Sequence, residues 1–382
     1  MHAETLASDE GIIEIEPRDA WDRMRAGALL IDVREPDERA AGMPRDALGI
    51  ARSALAAEIP ALAGDRSAEL MTLCASGQRS LLARQQLLEL GYRHVVSVRG
   101  GFNRWLSEGL PLADGAGDED FAQRYARQLV LPEVGLSGQL RLAKASVVLV
   151  GAGGLGSPAA LYLAAAGIGK LTLIDDDTVE RSNLQRQVVH TEARIGMAKT
   201  ESARIGLAAL NPSIVIETRQ VRIVADNVES LLRGHDLVLD GADNFPTRYL
   251  LDAACRQLAL PMIYAAVHRF TGQVSVFDPR RSDSPCYRCL FPDPPSAAEA
   301  PNCSEAGVLG VLPGIIGMLQ ANEAIKLILE RGRPLVGRLL CFDALDASFR
   351  ELRLSRDPLC PGCGADADFA GYQDLARLCL GS

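Results

Sequence analysis

The chain has 382 residues and a formal net charge of −9 at pH 7, and 48% of its residues are hydrophobic. The length predicts two domains with buried cores, and the acidic balance argues against nucleic acid as the main partner, because phosphate backbones attract basic surfaces. No apolar run approaches the roughly 20 residues that cross a bilayer, which argues against a membrane-spanning chain.

The first residues and the cysteines predict the compartment. Residues 1–10 are polar and acidic and do not resemble a signal peptide. The nine cysteines include two Cys-x-x-Cys pairs, which in a chain without an export signal indicate metal or thiol chemistry rather than disulfides. We therefore expect a reducing, cytoplasmic location.

Strands and helices alternate over residues 1–112. Buried apolar runs predict strands at residues 12–15, 28–33, 69–73 and 95–98, with helices that open at residue 16, at residues 81–90 and after residue 99. This alternation predicts a small parallel α/β domain.

Cys74 follows the strand at residues 69–73 and opens the loop Cys-Ala-Ser-Gly-Gln-Arg-Ser, which leads into a helix. Backbone N–H groups and the helix dipole at such a position stabilise a thiolate or an anionic persulfide, and Arg79 adds positive charge. A cysteine at the end of a strand is more often a buried packing residue, but this setting favours a nucleophile.

The first 110 or so residues resemble the rhodanese sulfurtransferases. Three segments carry the resemblance, at residues 32–34, 74–79 and 100–105. It implies that Cys74 carries a sulfane sulfur as a persulfide, supplied by a donor such as a cysteine desulfurase. It also implies that an active loop of this size takes sulfur as its substrate rather than a larger phosphorus-centred group.

Residues 113–120 are small, acidic and glycine-containing, which predicts a flexible linker. We therefore expect a first domain at residues 1–112 and a second domain at residues 121–382. Such a linker would let the loop of one domain visit the site of the other.

A strand at residues 146–150 of the second domain runs into a glycine turn and then a helix. The glycines are Gly151, Gly153, Gly154 and Gly156. This geometry brings backbone N–H groups up to phosphates. A second strand ends in Asp175, at the distance where an acid accepts a hydrogen bond from a ribose hydroxyl. The pattern predicts a nucleotide site, and the alternative is a tight turn that binds nothing.

The alternation continues to the end of the chain. Further strands are predicted at residues 214–218, 236–240, 262–266, 339–343 and 349–354, an antiparallel strand at 270–277 and a long apolar helix at 313–329. These elements predict a Rossmann-like domain with a mixed sheet.

Polar side chains follow several of these strands, namely Asp175, Asn183, Arg186, Lys199 and Asp243. Open α/β sheets bind ligands at this edge. Arg186 and Lys199 supply the charge that a triphosphate needs, and Asp243 is an acid suited to magnesium. Each residue alone would more often be a surface group, but together they predict a site for ATP.

Two cysteine pairs lie late in the chain, Cys286 with Cys289 and Cys360 with Cys363. Two Cys-x-x-Cys pairs complete a closed tetrahedral site for structural zinc, which would hold the C-terminal segment against the domain. A redox dithiol is the alternative, but it leaves the second pair unexplained. A closed site has no open position, so we assign it no catalysis.

From about residue 120 to residue 365 the chain resembles the MoeB/ThiF family, bacterial relatives of ubiquitin-activating enzymes. The glycine turn, the segments at residues 182–187 and 302–308, and the paired cysteines carry the resemblance. It implies ATP contacts from Gly154, Asp175, Ser182, Asn183, Leu184, Gln185, Arg186, Lys199, Asp243 and Asn244. It also implies a homodimer in which Arg127 reaches the nucleotide of the partner subunit, and a ubiquitin-like sulfur carrier ending in Gly-Gly as substrate.

The resemblances together imply adenylation of the carrier's terminal carboxylate, followed by attack of the Cys74 persulfide to give a thiocarboxylate. Cys303 lies outside the cysteine pairs. Relatives with a fused rhodanese use a cysteine here in a covalent carrier intermediate, and the alternative is a loop cysteine without a role. In those relatives the rhodanese domain follows the adenylating domain, whereas here it precedes it.

Other functions remain open at this point. The carrier of molybdopterin synthase is favoured, but thiamine synthesis and tRNA thiolation use the same chemistry. A dinucleotide-dependent oxidoreductase is disfavoured, because no acid/base pair for a substrate is evident and the Arg/Lys set suits ATP. A third alternative is a scaffold that docks a ubiquitin-like protein without catalysis.

Overall fold

The computed structural model describes residues 13–39, 42–113, 119–294 and 307–374. Contacts divide the chain into two compact units, Met1–Leu140 and Arg141–Ser382. The domain boundaries expected from the sequence stay a prediction, although the helix at residues 119–129 belongs to the first unit by its contacts.

The first unit is built on a five-stranded parallel sheet. Its strands are β1 (Glu14–Ile15), β2 (Leu29–Asp32), β3 (Leu48–Gly49), β4 (Glu69–Leu73) and β5 (His94–Val98), in the order β1-β5-β4-β2-β3. Its helices are α1 (Pro17–Arg25), α2 (Pro36–Arg39), α3 (Leu55–Leu62), α4 (Gln78–Glu89), α5 (Gly101–Ser107) and α6 (Glu119–Leu129), and α7 (Gly135–Lys144) comes next in the chain. The predicted small parallel α/β domain is confirmed.

Each face of this sheet carries its own apolar cluster, because successive strand residues point to opposite sides. Leu70 belongs to one cluster and Met71 to the other. The cluster around Met71 includes Trp105 of α5 and both Tyr125 and Leu129 of α6. Strands buried on both faces read as continuous apolar runs, which is why they were recognisable from the sequence.

The second unit contains an eight-stranded mixed sheet. Its strands are β6 (Ser146–Val150), β7 (Lys170–Ile174), β8 (Val215–Arg219), β9 (Leu237–Asp240), β10 (Met262–His268), β11 (Thr271–Phe277), β12 (Arg338–Asp343) and β13 (Ser348–Arg353), in the order β13-β12-β11-β10-β9-β6-β7-β8. Its helices are α8 (Gly156–Ala166), α9 (Lys199–Leu210), α10 (Val228–Leu232), α11 (Phe245–Gln257), α12 (Tyr287–Leu290) and α13 (Val311–Leu329).

The direction of the strands confirms the Rossmann-like prediction. Strands β10, β9, β6, β7 and β8 are parallel, and β11, β12 and β13 add an antiparallel extension. Val150 is in register with both Ile174 and Asp240. The carboxyl ends of β6, β7 and β9 therefore meet at one edge, and the glycine turn and the acidic loops start there.

Helix α13 is long and apolar enough to cross a membrane by length and composition, and among the described residues it alone passes that test. It packs on α8 and on β10 and β11, and its side chains Leu312, Ile316 and Ala324 are buried. The expectation that no apolar run approaches the length of a membrane span was wrong for this helix, but its contacts are those of a core helix.

Candidate functional site

The glycine turn between β6 and α8 needs glycine at two positions for steric reasons. Gly151 has φ +91°, and a Cβ there would lie 2.6 Å from the carbonyl oxygen of Gly241. A Cβ on Gly156 would lie 1.9 Å from the oxygen of Gly151. Both positions pack backbone against backbone, so no side chain fits.

The other two glycines of the turn are less confined. A Cβ on Gly153 would meet no heavy atom closer than Nε2 of Gln187, at 3.6 Å, and one on Gly154 would meet Pro313 at 3.1 Å. Both glycines line a cavity of about 1050 Å³ at this edge of the sheet. A side chain on Gly153 would therefore occupy ligand space rather than protein space.

Asp175, at the end of β7, holds the glycine turn. Its Oδ2 accepts a hydrogen bond from the Ala152 N–H at 2.7 Å, and its Oδ1 accepts one from the Asp177 N–H at 2.9 Å. Burial raises the pKa of this carboxyl group. Asp175 lines the cavity, and each of its oxygens keeps a lone pair that could accept a hydrogen bond from a hydroxyl.

Lys199 is the first residue of α9 and is buried. Its Nζ lies 2.7 Å from Oδ2 of Asp177, which is largely exposed. Both residues line the cavity. The lysine charge is thus positioned beside the glycine turn and is countered by an acid that solvent also reaches.

The segment that the resemblance assigned to ATP divides into two groups. Arg186 lines the cavity, and its Nη1 donates to the Ser182 carbonyl oxygen at 3.1 Å. The buried Asn183 instead accepts from the Glu180 N–H at 3.1 Å and so holds the local turn. Four other residues predicted to bind ATP do not line the cavity, namely Gly156, Ser182, Leu184 and Gln185.

The loop after β9 presents an acid to the same cavity. Asp243 is exposed, and Asn244 caps α11 by accepting from the Thr247 N–H at 3.0 Å. The preceding residue, Ala242, is fixed by a buried pair. Its N–H donates to Asp240 at 3.0 Å, and its oxygen accepts from Arg248 at 2.7 Å.

The Asp240–Arg248 pair was not predicted from the sequence. The Arg248 Nε lies 3.4 Å from Oδ2 of Asp240, and both residues are buried. Burial raises the pKa of Asp240 to about 6. A buried Asp at a strand end is a weak signal, and only the fold shows that it supports the backbone before Asp243.

His190 and Gln187 are further residues without a predicted role. One His190 ring nitrogen, Nε2, lies 3.0 Å from the Ala152 oxygen, and the other, Nδ1, lies 2.9 Å from Oγ of Ser202. Since a carbonyl only accepts, Nε2 carries the proton, and burial lowers the pKa of His190 to about 4. Gln187 is buried beside the cavity, and its Oε1 has no partner among the described residues.

The Cys74 loop in the first unit forms a separate site. Cys74 is buried, and its Sγ accepts from the Gly77 N–H at 3.2 Å and lies 3.5 Å from Oγ of Ser80. Gly101 packs against the loop, because a Cβ there would lie 2.1 Å from the Cys74 oxygen. The loop therefore directs a backbone donor at the sulfur, as expected for a thiolate-stabilising turn.

Arg79 does not act on Cys74 as an unpaired charge. Its Nη1 and Nη2 donate to the two carboxylate oxygens of Glu38 at 2.7 and 2.6 Å. The hydrogen bonds to Glu38 raise the pKa of Arg79, and the nearby Cys74 also contributes to that increase. The charge predicted for the loop is present but is shared with an acid that the sequence did not reveal.

The four paired cysteines meet at one point. Cys286 and Cys360 have their sulfurs 3.6 Å apart, Cys289 and Cys363 have theirs 3.4 Å apart, and all four lie within 4.8 Å of one another. Four sulfurs at Zn–S distances of about 2.3 Å are about 3.8 Å apart. The cluster could therefore hold zinc, and Gly362 donates its N–H to the Cys360 sulfur at 3.3 Å.

Two predicted residues are not brought to these sites. Arg127 is exposed on α6, and its reach to the nucleotide of a partner subunit stays a prediction. Cys303 lies outside the described residues, so its role also stays a prediction.

The chain is similar to several known proteins. A model of the rhodanese-like domain matches residues 16–108. The chain is 49% identical to the SAMP-activating enzyme E1 of Haloferax volcanii, over 63% of this chain and 88% of that protein. It is 48% identical to the sulfur carrier protein adenylyltransferase of Thermus thermophilus, over 67% and 96%.

Longer relatives and solved structures are also similar. The adenylyltransferase and sulfurtransferase MOCS3 of Drosophila yakuba is 47% identical, and the chain covers 57% of its length. A crystal structure of E. coli MccB with ATP superposes with a TM-score of 0.56 at 23% identity, over 68% of this chain and 79% of that chain. That similarity concerns the fold alone. Because the model of the ThiF family matches residues 125–362, most of the chain, the protein belongs to the ThiF family and carries a rhodanese-like domain ahead of the family domain.

Proposed function

We propose that the second unit adenylates the C-terminal carboxylate of a ubiquitin-like sulfur carrier, and that Cys74 supplies sulfur to the activated carrier as a persulfide. The observation that carries this proposal is the convergence of the glycine turn, Lys199, Arg186 and Asp243 on one large cavity. The names of the Haloferax and Thermus relatives, an activating enzyme and a sulfur carrier adenylyltransferase, support it.

The adenylation step needs charge stabilisation more than proton transfer. The carrier carboxylate is already ionised, so it can attack the α-phosphorus of ATP without a general base, and pyrophosphate leaves. Lys199 and Arg186 stand at the cavity wall, where their charges would stabilise the phosphate oxygens as the bond breaks. The ion pair of Lys199 with Asp177 would then be replaced, in part, by an ion pair with phosphate.

Magnesium, when bound, would neutralise phosphate charge. Asp243 is an exposed acid on the cavity wall, and its loop is fixed through Ala242. Carboxylate oxygens are the ligands that this ion prefers. We assign Asp243 the role of orienting the metal-bound phosphates.

The sulfur step follows from the chemistry of a persulfide. The outer sulfur of Cys74 attacks the acyl-adenylate carbonyl, and AMP leaves with the electron pair of the broken bond. The product is an acyl disulfide to Cys74, and a second thiol must attack the Cys74 sulfur to release the thiocarboxylate. Cys303 is one candidate thiol, and a thiol reductant would then restore both cysteines.

The zinc site has a structural role in this proposal. Four thiolates fill a tetrahedral shell and leave no position for substrate. The two cysteine pairs belong to distant parts of the chain, so the metal would fasten the segment after β13 to α12 and the residue before it.

The proposal also covers the assembly and the location of the protein. The protein would act as a homodimer in which Arg127 reaches the partner subunit's nucleotide, and it would work in the cytoplasm. The carrier of molybdopterin synthase is the first candidate, and carriers of thiamine synthesis and tRNA thiolation are the next.

The test is ATP–pyrophosphate exchange with purified candidate carriers, followed by mass spectrometry of the carrier. We expect exchange only with a carrier that ends in Gly-Gly, and none after deletion of its last glycine. With a persulfide donor, the carrier should gain one sulfur in place of one oxygen. Tight binding of a nicotinamide cofactor without carrier-dependent exchange would support the oxidoreductase alternative instead. Carrier binding that is unaffected by Lys199→Ala, again without exchange, would support the scaffold.

A further inference from the structure

The loops after β2 and β4 lie side by side in the first unit. The two strands are parallel neighbours with Asp32 opposite Leu73, and the Val33 N–H donates to the Leu73 oxygen at 2.8 Å. The chain then enters α2 on one side and the Cys74 loop on the other. A side chain of α2 can therefore reach the loop that carries the nucleophile.

Glu38 of α2 makes this contact with Arg79. The two carboxylate oxygens accept from the two terminal guanidinium nitrogens at 2.6 and 2.7 Å. Paired, parallel hydrogen bonds of this kind fix the orientation of both groups as well as their charge. The hydrogen bond from Arg79 also lowers the pKa of Glu38, so the acid is ionised at neutral pH.

Glu38 is held in place by more than Arg79. Its backbone oxygen accepts from Arg34 at 3.3 Å, and its Oε2 accepts from the Glu35 N–H at 3.1 Å. Arg34 is itself buried, pairs with Asp32 at 2.6 Å and stacks on Phe102 at 3.8 Å. A solvent-exposed ion pair usually pays side-chain entropy to form, but here the acid is positioned by a buried framework.

The consequence concerns which anions approach Cys74. Arg79 lies five positions after Cys74, in the first turn of α4, and interacts electrostatically with it. Because Glu38 contacts Arg79 through both carboxylate oxygens, the pair carries little net charge. Its attraction for an incoming dianion is therefore weak. A persulfide donor brings at most one charge at the reacting sulfur and depends less on such a cation.

We propose that Glu38 is a specificity-determining residue that disfavours small dianionic sulfane-sulfur donors at Cys74 and leaves the loop selective for alkyl persulfides. The inference rests on the proposed sulfurtransferase function. With either donor the Cys74 thiolate attacks the outer sulfur and a sulfur–sulfur bond forms. The donor's own sulfur–sulfur bond breaks, and sulfite or an alkyl thiolate leaves with its electron pair.

The experiment uses the full chain with Glu38→Gln, thiosulfate or cysteine persulfide as donor, and cyanide as acceptor. We expect kcat/KM for thiosulfate to rise about tenfold at low salt, as one charge-assisted contact becomes available, and the gain to shrink as salt is added. With cysteine persulfide the change should stay within about twofold. Glu35→Gln is the matched control, because it removes a neighbouring exposed acid that does not pair with Arg79.

Two outcomes would overturn the inference. One is a thiosulfate rate in Glu38→Gln equal to that of the wild type or of Glu35→Gln, and the other is an equal gain when Arg79 is already replaced by Gln. Absence of sulfur transfer from both donors in the wild type would instead refute the sulfurtransferase function and this inference with it. Sulfur transfer from cysteine persulfide in the same preparations shows that the first unit of the variants is folded, because pyrophosphate exchange reports on the second unit alone.

Discussion

The glycine turn makes opposite predictions for two substitutions that look alike in sequence. In Gly156→Ala the new Cβ would lie 1.9 Å from the Gly151 oxygen and 2.8 Å from Cδ2 of Leu149. The nearest atom belongs to the backbone and cannot rotate away. In Gly153→Ala the nearest atom is Nε2 of Gln187 at 3.6 Å, an ordinary contact distance. The first change strains the protein, and the second only places a methyl group in the cavity.

The magnitudes follow from these distances. Forced overpacking costs about 1–3 kcal/mol, and a backbone clash this close puts Gly156→Ala at or above about 3 kcal/mol. For a unit of this size that corresponds to a fall in Tm of about 6–12 °C. Gly153→Ala should leave the free energy of unfolding within about 0.5 kcal/mol of the wild type. Its KM for ATP should rise at least about tenfold, because the phosphates would be displaced.

Thermal unfolding followed by circular dichroism, together with ATP–pyrophosphate exchange at varied ATP, measures both effects. Gly156→Ala should have a lower Tm than the wild type. Gly153→Ala should have an unchanged Tm and a weaker affinity for ATP. A Gly156→Ala protein that melts with the wild type would show that the turn relaxes freely. An unchanged KM in Gly153→Ala would show that phosphate does not approach this turn.

Other consequences can be tested in the same assays. Cys74→Ser should abolish sulfur transfer to cyanide and leave pyrophosphate exchange intact. Asp243→Ala should reduce pyrophosphate exchange by about 10²–10³ or more and leave sulfur transfer intact. Loss of both activities in either variant would contradict separate sites. Cys360→Ser should remove bound zinc, detected by metal analysis, and lower Tm, and a stable metal-free variant would argue against a structural metal. Because burial lowers the pKa of His190 to about 4, the unfolded chain binds its proton first as the pH falls below about 6.5. Stability should therefore decrease between about pH 6.5 and 4 by up to about 3 kcal/mol, and His190→Gln should remove that part of the decrease.

Much of the fold could be predicted because buried parallel strands leave a strong local pattern. The strand expected at residues 69–73 is observed at Glu69–Leu73, and the long apolar helix expected at residues 313–329 is observed at Val311–Leu329. Helices α3 and α7 were not predicted. Pro60 lies inside the first, and the second begins at Gly135 with φ +54°. Residues that usually end helices concealed both, and tertiary packing outweighed their low propensity.

The position of the site could be predicted from the sequence, but the roles of its individual residues could not. Strand ends and a glycine turn fix where a ligand can bind, and both are visible in the sequence. Which polar side chains face the cavity depends on contacts between distant segments. The side chain of Asn183 makes a hydrogen bond within its own turn. Gln187, His190 and Arg248 instead support the site through contacts that no local sequence pattern encodes. Glu38 reaches Arg79 for the same reason, since only strand pairing brings those loops together.

The two backbone hydrogen bonds of Ala152 have a consequence for how a nucleotide would bind. Its N–H is held by Asp175 and its carbonyl by His190. A loop whose central residue is hydrogen-bonded through both its N–H and its carbonyl has its shape before any ligand arrives, so binding would require little ordering of the chain. The Ala152 amide should then exchange slowly with deuterium in the nucleotide-free protein, unlike the flexible phosphate-binding loops that become ordered only around their ligand.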